Sequence, residues 1–363
     1  MGYKVPILPL KAEIETKILL KKTASARSAL AELKGVVLSI PNEQILVSTL
    51  SLQEAKDSSA IENIITTHDE LYQSDVLARH FKSPAAKEVH NYALALQKGF
   101  LKVREQGFLS TNHILQIQAL IEENNAGFRK IPGTALKNEQ TGTVVYTPPQ
   151  HPQEIEDLMN NLEQFMNVPE LSDLDPLIKM SIIHHQFESI HPFYDGNGRT
   201  GRMVNVLYLV KEGLLDIPIL YLSRYINQNK SDYYRLLQYV RDKGDWEPWI
   251  LYILEGIEQT SKQTIQTIRG IKELMLKHKR TIRNERPKLY SQDLLNNIFK
   301  HPYTKIDFLV SDLHISRITA ARYLNELVIL GILKKFKFGK DNYYINNDLY
   351  DLLANVNNKY NTL

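Results

Sequence analysis

The 363-residue chain contains no cysteine. That excludes a disulfide framework, a thiolate metal site and a cysteine nucleophile. No uninterrupted apolar run approaches the ~20 residues of a membrane-spanning helix. The N-terminal ten residues carry two prolines in a short apolar run and do not read as a signal peptide. A cytoplasmic protein with no membrane partner is the expectation. Charge of either sign is nearly balanced: the net value of +3 is too small to announce a nucleic-acid partner. No internal repeat or low-complexity tract interrupts the chain. What remains is 43% hydrophobic and 23% charged, enough apolar material to bury a core. The length suggests two or three domains.

Most of the chain reads as helix. Apolar residues recur at helical spacing from Glu13 to Leu33, and Gly35 and Pro41 then break the pattern. Ser51 and Glu54 have capping-box spacing, so a helix is expected to start there and run through Ile65. Two or three helices follow over 70–122, one ending near Gly99 and another near Gly107. Glycines and β-prone residues between Gly127 and Pro149 predict a hairpin around 138–142. Helices resume at 154–166. Asp175-Pro176 looks like an N-cap with a first-turn proline. Met180, Ile183, Phe187 and Ile190 extend that helix up to residue 190.

Next comes HPFYDGNGRTGR, residues 191–202. Its Gly196–Gly201 stretch matches G-x-G-x-x-G, yet a helix rather than a strand precedes it, which argues against a dinucleotide turn. No lysine or aspartate motifs of a kinase, and no G-x-x-x-x-G-K-[ST], accompany it. Asn197-Gly198 instead leads into a helix, whose free N-terminal amides form an anion nest. Arg199 and Arg202, three apart, are expected to face one point and clamp phosphate oxygens. Asp195 is a candidate ligand for Mg2+ bridging phosphates. The charge state of a histidine is adjustable near neutral pH, which suits His191 to a general base.

The stretch matches H-P-F-x-[DE]-G-N-G-R-x-x-R and resembles the signature of the Fic family at every fixed position. Residues 143–166 resemble the family's flap and following helix. Residues 233–249 resemble its distal nucleotide-pocket helix, and 51–64 its N-terminal regulatory helix. The resemblance implies a mainly α fold: a helical core with a β-hairpin flap. It implies a protein adenylyltransferase that transfers AMP from ATP to a Ser, Thr or Tyr hydroxyl of a target protein or of itself. His191 would take the hydroxyl proton. Asp195 would hold Mg2+. Gly196, Asn197, Gly198, Arg199, Thr200, Gly201 and Arg202 would fix the phosphates, with Tyr233 and Arg241 near the adenine. Thr143, Val144, Val145 and Tyr146 of the flap would align the target. The phosphate-binding residues do not read the base, so transfer of UMP or phosphate stays open.

Ser58, Glu62 and Asn63 fit the family's inhibitory pattern [ST]-x-x-x-E-[GN]. Ser58 and Glu62 are i,i+4 on one helix face, so Glu62 is expected to pair with Arg202 and block the γ-phosphate. Family members that use this glutamate to remove AMP supply an alternative role for it. His184, His185, Trp246 and Trp249 are read as core residues rather than a metal cluster or a stacking platform.

Residues 269–288 are basic and are read as a linker helix. Beyond them, helix, helix, helix and a ribbon turned at Gly339 have the order of a winged helix-turn-helix, residues 289–363. In a DNA-reading role Arg317, Thr319 and Arg322 would meet the groove, and Lys334, Lys335, Lys337 and Lys340 the backbone. Nine basic residues, Lys359 included, against seven acidic ones leave this part only +2. DNA, protein docking and a homodimer are all open for it. The expected boundaries are 1–105 for an N-terminal region with the inhibitory helix, 106–268 for the catalytic core, 269–288 and 289–363. A DNA-binding regulator with a nucleotide-sensing core is the competing function.

Overall fold

Side-chain caps and buried stripes decide where the helices of this chain begin and end. The computed structural model describes residues 3–77, 81, 83–138, 141–338 and 341–354. Helix α1 (Lys17–Val37) starts after Thr16, whose hydroxyl accepts from the Leu19 amide. It therefore begins later than the apolar pattern from Glu13 suggests. It also runs through Gly35, because its buried stripe of Leu19, Ala26, Leu30 and Leu33 continues to Val37. One exposed glycine costs only about 1 kcal/mol in a helix.

Helix α2 (Glu43–Ile61) is capped by Asn42, whose side chain accepts from the Gln44 amide. Ser51 and Glu54 thus lie in mid-helix and are buried, correcting the capping-box start. The helix also stops four residues before Ile65, at a turn where Glu62 is the C-cap and Asn63 has φ 61°. Helices α3 (His68–Leu77), α4 (Pro84–Gln106) and α5 (Thr111–Glu122) follow. Gly107 caps α4 in the left-handed region. Gly99, expected as a stop, is inside α4: a Cβ there would sit 2.9 Å from Leu207 Cδ1, so the glycine permits close helix packing.

Strands β1 (Leu136–Lys137) and β2 (Val144–Tyr146) pair antiparallel, Leu136 opposite Tyr146, as the expected hairpin. Then come α6 (Pro152–Asn167), α7 (Pro176–Ile190), α8 (Asn197–Lys211), α9 (Leu222–Gln228) and α10 (Lys230–Lys243). Asp175 caps α7 by accepting from the Leu177 amide, as read from the sequence. Helix α11 (Glu247–Glu285) has 39 residues, about 58 Å at 1.5 Å per residue. The basic stretch from 269 to 285 is the C-terminal part of this helix and no separate linker, since Ile271, Met275 and Ile282 keep one face buried.

The C-terminal part comprises α12 (Gln292–Lys300), β3 (Tyr303–Lys305), α13 (Ile306–Leu313), α14 (Arg317–Ile329), β4 (Lys334–Phe338), β5 (Asp341–Ile345) and α15 (Asn347–Ala354). Its sheet has the order β3-β5-β4, all antiparallel, with Thr304 opposite Tyr344 and Phe336 opposite Tyr343. The three helices and the ribbon match expectation; β3 and α15 are additional. Gly339, Lys340 and Lys359 lie outside the described residues. Among those described, no helix is long and apolar enough to cross a membrane.

Candidate active site

Helices α7 and α8 pack side by side, and the loop 191–196 between them carries the site. All but one residue of α7 are buried, so its C-terminal end is held rigidly. His191 caps it in a left-handed conformation, φ 48° and ψ 59°. Asn197 locks the loop: its Oδ1 accepts from the Phe193 amide at 2.9 Å and its Nδ2 donates to the Phe193 carbonyl at 2.8 Å. Gly196, at φ 77°, turns the chain into α8 with no side-chain cap, leaving the first amides of α8 open.

A cavity of about 650 Å³ opens over this turn, lined among others by His191, Asp195, Gly198, Arg199, Glu62 and Glu122. Glu62 lies on the nest itself. A Cβ at Gly198 would fall 2.2 Å from its Oε1. The same carboxylate accepts from Arg202 Nη2 at 2.8 Å. Ser58 completes the contact, its hydroxyl accepting from Arg202 Nε at 2.9 Å and its carbonyl from Nη2 at 3.0 Å. Arg202 is 2% exposed, covered by this segment.

Three models of known families match the chain: Fic/DOC family N-terminal over 20–101, Fic/DOC family over 108–209, and protein adenylyltransferase SoFic-like, C-terminal domain, over 274–349. The chain belongs to the Fic/DOC family. Relatives from Drosophila erecta and Drosophila virilis, both described as protein adenylyltransferase Fic, are each 30% identical over 130 residues. That stretch is 36% of this chain and 25% of theirs, so the match spans about a quarter of the relatives' length. A Fic family protein from Desulfovibrio desulfuricans superposes over 92% of this chain and 97% of its own, with TM-score 0.57 and 20% identity. Fic-1 from C. elegans does so over 69% and 73%, with TM-score 0.53 and 19% identity. These structures share the fold.

The Fic motif does not place its two arginines on one point. Arg199 donates to Glu88 at 2.9 Å and Glu122 at 2.7 Å, while Arg202 turns to Ser58 and Glu62. Their i,i+3 spacing brings the side chains to the same side of α8, but carboxylates from α4 and α5 draw Arg199 away. Asp195 lines the cavity, with Oδ1 accepting from the Gly196 amide. Thr200 is buried. Gly201 is a packing residue: a Cβ there would lie 2.8 Å from Glu188 Oε1 and 2.9 Å from Phe187 Cδ1. Asn63 accepts from Lys230 Nζ at 3.3 Å.

Tyr233 and Arg241, expected near the adenine, are not among the residues lining this cavity. Tyr233 is 1% exposed, its hydroxyl 2.9 Å from His184 Nε2 and its ring packed on Trp249. Arg241 stacks 3.9 Å over the Tyr146 ring and donates to Ser189 Oγ at 3.1 Å. Tyr146 itself is buried and donates to the Ser189 carbonyl at 2.7 Å, which roots the flap. Thr143, Val144 and Val145 are exposed on its outer edge. His184, His185, Trp246 and Trp249 are buried in one aromatic cluster. Among the described residues no group of three His, Asp or Glu is arranged to hold a metal.

Charge is tuned around the site. Burial, then the cations Arg129 and Arg241, push the His191 imidazole down to about 4, so it is neutral at pH 7. Burial pushes the Glu188 carboxyl up to about 7. Burial alone would raise Glu62, but the Arg202 charge and hydrogen bond hold it below the usual carboxylate range. Sequence reasoning missed Arg129, Glu88 and Glu122. Each lies outside any motif, and only tertiary packing gives it its partner.

Proposed function

We propose that this Fic protein transfers the AMP of ATP to a hydroxyl of a target protein and that residues 58–63 hold it inhibited. The observation that carries the reading is the Glu62 carboxylate seated on the Gly198 amide turn and paired with Arg202 at 2.8 Å. A carboxylate there occupies the anion site that a terminal phosphate needs, and it neutralises the arginine that would receive it.

With Glu62 withdrawn, the nest of α8 and Arg202 are free to bind phosphate oxygens. The neutral His191 accepts the proton of a Ser, Thr or Tyr hydroxyl. The hydroxyl oxygen forms a bond to the α-phosphorus as the bond to pyrophosphate breaks, and AMP is left on the target oxygen. The amides of α8 stabilise the charge that develops on the phosphates. The exposed edge of β2 offers backbone groups for an added strand of the target. Asp195 suits Mg2+: its carboxylate lines the cavity beside the α8 nest, and Mg2+ ordinarily takes one or two carboxylates with phosphates and water. When bound, the metal would supply positive charge to the phosphates.

Labelled ATP tests the proposal. Glu62→Gly is expected to raise self-labelling strongly, and His191→Ala in that background to abolish it. Labelling that persists without His191 overturns the base assignment. No labelling in Glu62→Gly favours a nucleotide-sensing regulator. For the C-terminal part we favour protein docking over DNA reading. Arg317 is engaged by Asp307 and Ile318 is 84% exposed on the same helix start, which suits an apolar partner better than a phosphate backbone.

A further inference from the structure

Arg129 is a buried cation that lies outside the motif. It is 1% exposed, and no carboxylate of the described residues pairs with it. A guanidinium removed from water without a counter-charge is costly, and a place is found for it only where it bonds well. Its partners are carbonyls. Nε donates to the His191 carbonyl at 2.7 Å, and Nη2 donates to Pro149 at 2.8 Å and to Ile190 at 3.4 Å. Its own amide donates to the Pro192 carbonyl at 2.8 Å. Two of these carbonyls end α7, where the helix dipole presents negative charge. The third closes the segment that follows β2. Phe128 beside it packs on Phe193, with ring centroids 5.4 Å apart.

These bonds join two things that transfer requires to be in register. One is the His191 turn, held in a left-handed conformation that a non-glycine residue rarely adopts unaided. The other is the base of the hairpin on which a target strand would dock. We propose that Arg129 is a positioning residue that locks the His191 turn to the root of the flap, so that imidazole and docked target share one frame. The proposal rests on the reading of His191 as base. The charged groups facing the imidazole are Arg129 from the 127–133 loop, Arg241 from α10 and Glu62 from the turn after α2. Removing Arg129 therefore also removes a cation that favours the neutral ring.

The test uses the full chain in the Glu62→Gly background, with Arg129→Met and Arg129→Lys. Arg129→Met is expected to lower kcat by about 10-fold or more, because small misplacements of a reacting group cost up to ~100-fold. KM for ATP should stay within about twofold, since Arg129 does not line the nucleotide cavity. The acid limb of the pH–rate profile should move up from about 4. Arg129→Lys should leave the limb in place and recover only part of kcat, as an ammonium lacks the planar fork that spans separate carbonyls. An unchanged kcat with an unmoved limb in Arg129→Met overturns the proposal, as does a loss confined to KM. If Arg129→Met melts early, Arg129→Lys carries the test: full kcat in it removes the fork argument. NMR titration of the His191 imidazole in Arg129→Met reads the coupling of Arg129 to His191 without turnover. An upward shift supports the proposal even if no AMP transfer is found, and an unmoved titration sinks it.

Discussion

Gly198 and Ser58 lie 140 residues apart in the chain, yet both act on the Arg202 guanidinium. Gly198 leaves the space in which the Glu62 carboxylate rests, and Ser58 holds Arg202 Nε at 2.9 Å. Hydrogen bonds to a charged group contribute about 1.5–3 kcal/mol, so Ser58→Ala should raise basal self-labelling roughly 10-fold, less than Glu62→Gly does. Equal activity of Ser58→Ala and parent in a labelling time course would contradict this. A second residue-scale effect concerns pH. Burial raises Glu188 from 4.5 to about 7 and Glu54 from 4.5 to about 8. Across that window the unfolded chain has lost protons that the folded chain keeps, so stability falls as pH rises. Glu54→Gln and Glu188→Gln should each shrink the difference between urea midpoints at pH 5 and pH 8. The Glu62–Arg202 pair has the opposite sign. Its contribution is present above the ordinary carboxylate range and disappears as pH falls through the lowered value.

At the scale of elements, α2 is a buried helix with an unusual cargo of polar groups, and its two buried carboxylates are each answered by a neighbour. Glu54 accepts from the Ser223 amide at 3.3 Å and from its hydroxyl. Asp57 accepts from Arg224 Nε at 3.1 Å. Short helix α9 therefore grips α2 one turn before Ser58. Arg224→Met strands a buried carboxylate at Asp57, which costs on the order of 3–5 kcal/mol. It should lower the melting temperature and raise basal labelling together. A lowered melting temperature with labelling unchanged would mean that α9 supports the fold but not the brake. The same logic of fit governs α4. Gly99→Ala gains about 1 kcal/mol of helix propensity, but its Cβ meets Leu207 and Ile117 at 2.9 and 3.1 Å, and overpacking costs about 1–3 kcal/mol. Net destabilisation is the expected result of chemical denaturation.

At the scale of the whole molecule, the C-terminal part is built onto α3, which leads on to α2. Tyr303 of β3 donates to Asp69 of α3 and stacks on Tyr72, while Tyr350 of α15 meets both rings edge-on. The Tyr72 hydroxyl accepts from Gln53 of α2 at 2.7 Å. Gln53 Oε1 accepts from Arg224 Nη2 at 3.4 Å. A continuous line of contacts thus runs from β3 to the residues that grip α2. Tyr303→Ala is expected to raise basal self-labelling without changing KM for ATP in the Glu62→Gly background. Labelling identical to the parent's would show that the two parts are joined but not coupled.

The helical class, the hairpin, the α7 cap at Asp175 and the whole motif from His191 to Arg202 were legible because each depends on neighbours within a few residues. Periodicity, a capping side chain and glycine at an amide turn are local causes. Helix ends failed where burial overruled local preference: Gly35 and Gly99 lie inside helices, and Ser51 is no cap. The site was legible as chemistry but not as arrangement. Spacing put Arg199 and Arg202 on one side of α8; carboxylates from α4, α5 and the end of α2 then drew them apart. The pattern at 58–63 named Glu62, whereas its place on the Gly198 turn follows from how α2 packs on α8 and α9. Arg129 had no pattern at all, because its three carbonyl partners belong to segments that only the packed chain brings together. Short-range sterics and hydrogen bonding determined which groups this chain possesses. Which group faces which was decided by tertiary packing, since a buried charge settles on whichever opposite charge or carbonyl the packed helices leave within reach.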